Sequence, residues 1–182
     1  PLNGAAVVLD VETGDVLAMV SMPSPGRLRM RTEMADLLKD EVNTPLVNRA
    51  TGKYYTPGSI VKPVLLCEAV KRGNYSLSQT IDCTGHLFEN RPTQFRCWIY
   101  KRFQQTHTAF LGHEPNAQEA IMVSCNIFFY TLGQRLGPQG VIDAFEDFHV
   151  GKTFDLGVGS EVGGRLGFRS DAPQYGTQAW DA

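Results

Sequence analysis

The stretch Tyr55-Thr56-Pro57-Gly58-Ser59-Ile60-Val61-Lys62-Pro63 constrains the chain more than any other. Pro57-Gly58 is turn chemistry, and Val61, Leu65, Leu66, Ala69 and Val70 recur after it with helical spacing, up to a stop at Gly73. A proline sits without cost only in the first turn of a helix, where its missing N–H has no partner to lose. Pro63 therefore puts the helix start near Ser59, with Lys62 three positions on and on the same face. A hydroxyl beside an amine at the positive end of a helix is the arrangement of an activated nucleophile. A serine there is equally an ordinary N-cap and the lysine an ordinary solvated charge; four positions alone do not separate the two readings.

With 182 residues, 42% hydrophobic and 20% charged, the chain has the composition of one globular domain with a sizeable core. A formal net charge of −2 gives no electrostatic reason to expect nucleic acid as a partner. No apolar run approaches a membrane span, and no signal peptide stands at Pro1. The abrupt, methionine-free start at a strand-like segment reads as an excerpt from a longer protein.

Gly4 to Asp10 and Val16 to Ser21 are apolar runs joined by Val11-Glu12-Thr13-Gly14-Asp15, the pattern of a β-hairpin covered on both faces. Two strands make a poor sheet, so others should pair with them. Met22 to Thr56 is mostly irregular, with a short helix expected from about Thr32 to Lys39. Ser76 to Pro115 is a second irregular region, rich in Cys, His, Arg and aromatics. Within it Cys83, Cys97, His107 and His113 carry ligand-capable side chains, and Cys83, Cys97 and His113 are the candidate zinc cluster, with a Cys83–Cys97 disulfide or free thiols equally compatible. A short helix follows over 116–123 and breaks at Ser124-Cys125-Asn126. A buried helix over 127–136 then begins, with Asn126 as its expected N-cap and Gly137-Pro138 as its end. Val141, Ile142, Phe145 and Phe148 give one face of a further helix, and the chain is glycine-rich from Gly151 to Gly176. Gly151-Lys152-Thr153 lacks the upstream glycine and strand of a phosphate-binding loop, which removes nucleotide binding from consideration.

Ser59-x-x-Lys62 followed by Ser124-x-Asn126 is the motif order of penicillin-binding proteins and serine β-lactamases. Gly4 to Asp10 with Thr13 to Ser21 resembles the first hairpin of a penicillin-binding transpeptidase domain. Pro45-Leu46-Val47-Asn48-Arg49-Ala50 resembles the approach to its nucleophile helix. Cys97-Trp98, Gly112-His113 and Ser124 to Tyr130 are similar to class B members of the elongation type. The resemblance implies an α/β (α+β) transpeptidase fold of the penicillin-binding protein and serine β-lactamase kind. On this reading residues 1–182 are a partial transpeptidase domain, 1–21 its hairpin, and 57–150 a mainly helical part bearing both motifs. The family's third motif, Lys-Thr-Gly or Lys-Ser-Gly, does not occur, so the domain reads as truncated before its C-terminal sheet strands.

The family's chemistry implies Ser59 as the nucleophile toward stem peptides ending in D-Ala-D-Ala and toward β-lactams, Lys62 as general base, Ser124 as proton relay, and Asn126 as an amide that orients Lys62 or holds the substrate backbone. It also implies no catalytic cofactor, partners among cell-wall elongation proteins, and a place on the extracytoplasmic (periplasmic) face of a bacterial membrane, with an anchor in the parent chain. The isolated piece is expected to be catalytically crippled. The rival readings are a serine β-lactamase or β-lactam sensor, for which Glu161 is the candidate carboxylate, and a non-catalytic binding domain of the same fold.

Overall fold

The computed structural model describes residues 3–166; the glycine-rich tail beyond them lies outside the described residues. The chain forms two compact units, one of residues 3–55 with 151–165 and one built on 56–150.

In the first unit β1 (Gly4–Leu9) and β2 (Val16–Met22) pair antiparallel, with Val7 opposite Met19 and Ala5 opposite Ser21. The apolar runs predicted a hairpin covered on both faces, and here the structure differs. Val8, Leu9, Leu17 and Val20 are exposed, and no third strand occurs among the described residues. Beyond Gly4 every residue of β1 is exposed, and in β2 only Met19 and Ser21 are partly sheltered, two positions apart and so on one face of the strand. Ser21 donates to the Val47 carbonyl at 3.1 Å and accepts from the Arg49 N–H at 3.0 Å. Arg49 is buried, and its guanidinium binds the Asn43 carbonyl and the Thr44 hydroxyl, pinning the loop that approaches the Pro57 turn. A short helix not predicted, α1 (Arg27–Thr32), precedes α2 (Met34–Lys39), which is the helix predicted over 32–39; Glu33 divides the two.

The second unit holds the hydrophobic core. Gly58–Val61 forms a single 3-10 turn that runs straight into α3 (Lys62–Lys71), with Pro63 in the first turn as the sequence requires. Ser59 therefore lies inside the turn with Pro57 in the cap position, so the N-cap reading of Ser59 does not hold. Three short helices follow: α4 (Trp98–Phe103), α5 (His107–Leu111) and α6 (Ala117–Met122). Asn116 and Glu119 close a reciprocal capping box on α6, satisfying two amides that would otherwise lack partners. The last helix among the described residues, α7 (Asn126–Asp147), packs against α3 and buries Phe128, Phe129, Leu132 and Leu136. Gly137 has positive φ and extended ψ at the predicted stop, so α7 is two helical halves across a kink, the second opening at Pro138. Cys125 caps α7 in place of Asn126, whose side chain is engaged elsewhere.

Ionic contacts tie α3 to α7 at their far ends. The buried Glu68 pairs with Arg72, Arg72 reaches Asp143, and Lys71 reaches Asp147 at 2.5 Å.

Candidate active site

The site is built where the N-terminus of α3 meets the turn between α6 and α7. The turn is tight: Ser124 N–H bonds the Ile121 carbonyl at 3.1 Å, and Cys125 N–H bonds that of Ala120 at 2.9 Å. Ser124 adopts left-handed backbone geometry, φ 51°, a conformation costing a non-glycine residue about 1–2 kcal/mol. The Cys97-Trp98 pair braces the turn. The Trp98 indole N–H donates to the Val123 carbonyl at 2.9 Å, and the Asn126 N–H donates to Cys97 Sγ at 3.3 Å.

Lys62, only 8% exposed, enters this turn from α3. Its Nζ donates to the Ser124 carbonyl at 2.8 Å, to Ser124 Oγ at 2.9 Å and to Asn126 Oδ1 at 2.8 Å. The Phe129 ring lies 5.5 Å from the same nitrogen, a weak cation–π contact. Ser124 Oγ stands 3.1 Å from Ser59 Oγ, and Ser59 itself is open to solvent. The four residues named from the two motifs thus form one chain of polar atoms, Ser59 to Ser124 to Lys62 to Asn126. Burial lowers the Lys62 pKa from 10.5, and the neighbouring Cys125 and Cys97 groups oppose that shift. A neutral amine is what a base toward a serine hydroxyl needs, so burial drives the lysine toward the reactive form.

Asn126 is occupied at both ends. Its Oδ1 holds Lys62, and its Nδ2 donates to the Arg96 carbonyl at 3.2 Å. Of the two roles open to it from sequence, orienting the lysine is the one its contacts serve.

Directly behind the turn lies a second cluster. Cys83, Cys97, His107 and Cys125 are all buried, and their ligand-capable atoms lie within 4.8 Å of one another. His107 Nδ1 is 3.2 Å from Cys97 Sγ and 3.6 Å from Cys83 Sγ, and Cys97 Sγ is 4.0 Å from Cys125 Sγ. The predicted trio of Cys83, Cys97 and His113 is corrected here. His113 is exposed and faces Glu119 at 3.4 Å, whereas His107 is buried among the thiols. Cys125, hidden in the middle of Ser124-Cys125-Asn126, is the ligand-capable residue sequence reasoning passed over. All four cysteines are free thiols, so of the readings left open by the sequence the Cys83–Cys97 disulfide is not the one formed.

The donor set fits a tetrahedral metal. Zn–S bonds of about 2.3 Å give sulfur–sulfur edges of about 3.8 Å, close to the Cys97–Cys125 separation of 4.0 Å. His107 Nε2 is buried without a hydrogen-bond partner, a cost incurred when the ring serves its other nitrogen. Hydrogen bonds from the Cys125 thiol, then the Cys83 thiol, hold Cys97 well below the ordinary thiol range, while sharing with Cys83 and Cys97 pushes Cys125 up.

Glu161, the carboxylate expected to matter if the chain were a β-lactamase, is committed to its own loop. It accepts the backbone N–H groups of Phe154 and Asp155 at 2.7 and 3.2 Å and that of Leu156, which together lower its pKa.

A serine joined through a second serine to a buried lysine, at the junction of two packed helices, is the constellation in which the two penicillin-recognising motifs come together. The sequence profile of the penicillin binding protein transpeptidase domain matches residues 4–176, and the chain belongs to that family. It is 30% identical over 168 residues to the peptidoglycan D,D-transpeptidase MrdA of Acinetobacter baumannii, an alignment covering 89% of this chain and 24% of that protein. The chain therefore spans about a quarter of the length of this relative. The structure of Pseudomonas aeruginosa PBP2 in complex with WCK 5153 superposes with a TM-score of 0.75 at 27% identity, covering 90% of this chain and 36% of that one. The imipenem acyl-enzyme of penicillin-binding protein A from M. tuberculosis gives 0.63 at 28% identity, covering 82% and 35%.

Proposed function

We propose that the protein is a peptidoglycan D,D-transpeptidase working through an acyl ester on Ser59. The observation that carries this reading is the hydrogen-bonded path from Ser59 Oγ through Ser124 Oγ to the buried Lys62 Nζ. Ser59 Oγ attacks the carbonyl between the two terminal D-alanines of a stem peptide. Its proton passes to Ser124 Oγ as the Ser124 proton passes to neutral Lys62. The amide C–N bond then breaks, the proton returns by Ser124 to the departing D-alanine nitrogen, and the acyl group remains on Ser59. An amine of a second peptide attacks that ester, delivers its proton to the same relay, and leaves Ser59 protonated and the two peptides joined. Splitting one amide exchange into two acyl transfers lowers each barrier. The backbone N–H of Ser59, in the 3-10 turn that leads into α3, supplies one donor to the developing oxyanion.

The same reading assigns a zinc ion to Cys83, Cys97, His107 and Cys125. When bound, zinc supplies a structural cross-link and no step of the acyl transfer. Cys125 carries that cross-link directly to Ser124 and Asn126. The resemblance to MrdA and PBP2 relatives supports partners among cell-wall elongation proteins and a working position on the outer face of the cytoplasmic membrane. No helix among the described residues is long and apolar enough to cross a membrane. Because Lys-Thr-Gly is absent from these 182 residues, residues 1–182 alone acylate poorly on this reading.

The test uses the complete gene product with a D-Ala-D-Ala peptide and an amine acceptor. Transpeptidation predicts D-alanine release coupled to a cross-linked product, both lost in Ser59→Ala. Release with water as the sole acceptor would mark a hydrolase of the same superfamily, and no release at all would mark a binding domain.

A further inference from the structure

Cys97, in the middle of the buried thiol cluster, is tied closely to the active-site turn. Its Sγ accepts the Asn126 N–H at 3.3 Å, and its chain neighbour Trp98 donates to the Val123 carbonyl at 2.9 Å. Cys125 lies within the turn itself, between Ser124 and Asn126, the two residues that hold Lys62. Cys97 and Cys125 are both free thiols with no exposed surface. Zinc is one way to hold these sulfurs; a bond between them is another.

Their sulfurs stand 4.0 Å apart, and an S–S bond is about 2.0 Å long, so bonding them draws the two residues together by about 2 Å. Both stand at helix N-caps with extended backbone, Cys97 before α4 and Cys125 before α7. The movement is therefore borne by the segments ahead of those helices, and one of these is the Ser124 turn. Ser124 Oγ lies 2.9 Å from Lys62 Nζ and 3.1 Å from Ser59 Oγ. A shift of ångström scale breaks hydrogen bonds of that length. Zinc, when bound, would instead keep the sulfurs at a tetrahedral edge of about 3.8 Å.

We propose that Cys97 and Cys125 are a redox switch on the candidate active site: in the metal-free protein hydrogen peroxide joins them in a disulfide that withdraws Ser124 and Asn126 from Lys62, and zinc on the same thiols prevents it. One sulfur takes an oxygen from peroxide, its S–H becoming S–OH as the O–O bond breaks and water leaves. The second sulfur attacks the first; the S–S bond forms, the S–O bond breaks, and the hydroxyl leaves as water with the second thiol's proton. Two thiols lose two electrons and two protons, and one peroxide becomes two waters. Peroxide suits the site because it is scarcely larger than water and the cluster lies directly behind half-buried Ser124. The proposal rests on the transpeptidase and zinc readings above and adds to them a reversible off state.

The test uses the complete gene product, either zinc-loaded or stripped of metal by a chelator under reductant, each before and after hydrogen peroxide. Free thiols are blocked, the protein is digested and linked peptides are mapped by mass, while acylation of Ser59 by benzylpenicillin is timed in parallel. The proposal expects a Cys97–Cys125 link only in the stripped protein after peroxide. Acylation there should be about a hundredfold slower than in the stripped, reduced protein, the cost of an ångström-scale misplacement. Dithiothreitol should remove the link and restore the rate together, which sulfonic acid formation or irreversible unfolding would not allow. A link that omits Cys125, oxidation confined to the exposed Cys67, a link that leaves the rate unchanged, or the same link in the zinc-loaded protein would overturn the switch. Loss of acylation in the stripped, reduced protein before any peroxide would overturn it too, by placing the effect on the metal alone. Failure of the zinc-loaded protein to acylate at all before peroxide would instead overturn the transpeptidase reading beneath it.

Discussion

Lys62 Nζ and Asn126 Oδ1 lie 2.8 Å apart, and the other end of that amide is anchored to the Arg96 carbonyl. The lysine is thus positioned by a group that is itself fixed at both ends. Asn126→Ala removes the fixture and leaves the lysine to the Ser124 contacts alone. Acylation of the complete protein by benzylpenicillin should slow about a hundredfold, the cost of an ångström-scale misplacement. Stability should fall by only about 1–2 kcal/mol, measured by chemical unfolding.

Burial also sets a pH signature. Lys62 has its pKa lowered from 10.5, so the neutral base becomes available below that value and the acylation rate should rise with pH on a limb centred below 10.5. Asn126→Asp places a carboxylate beside the ammonium, favours the charged form and should move the limb to higher pH. The stability sign follows from the same shift. Between the lowered folded pKa and the unfolded value of 10.5, the unfolded chain holds the extra proton, so stability rises with pH across that window. The stability of the natural protein relative to Lys62→Met should therefore improve as pH climbs toward 10.5.

The thiol cluster predicts metal content by residue. Purified protein should carry about one zinc, and Cys125→Ser should weaken retention on the order of a hundredfold or more while lowering the thermal midpoint. His107→Ala should do the same. His113→Ala should keep the metal, since His113 is exposed and paired with Glu119. Elemental analysis after dialysis against a chelator separates these outcomes.

Gly85 holds the cluster from outside. Its carbonyl accepts the Cys97 N–H at 2.8 Å, its φ is +87°, and a Cβ there would stand 2.4 Å from Tyr100 Cδ2. Gly85→Ala combines a left-handed backbone penalty with overpacking and should cost about 2–4 kcal/mol in chemical unfolding.

The legible parts of this molecule are those where one residue type has one physical use. Pro63 fixes the start of α3, Gly137-Pro138 marks the kink in α7, and Ser59, Lys62, Ser124 and Asn126 stand out by motif order. Cys125 was hidden by its neighbours, because a cysteine between two motif residues reads as filler. His107 and His113 are both ligand-capable in the sequence, and nothing there chooses between them; that His107 meets Cys97 across ten positions and Cys125 across eighteen is a closure only the packing of α5 reveals. The exposure of β1 and β2 could not be read from apolar content, which records what a strand can bury and not what is present to cover it. Asn126 and Ser59 both looked like caps because their side chains suit caps; the contacts each makes to its neighbours across the α6–α7 turn decided otherwise.

The central claim is that Ser59 carries the acyl group. Incubating the complete gene product with benzylpenicillin, then digesting and mapping by mass, should find one penicilloyl adduct on the peptide bearing Ser59, absent in Ser59→Ala and strongly slowed in Lys62→Met. An adduct on Ser124, on a cysteine of the cluster, or persisting undiminished in Ser59→Ala would contradict the account.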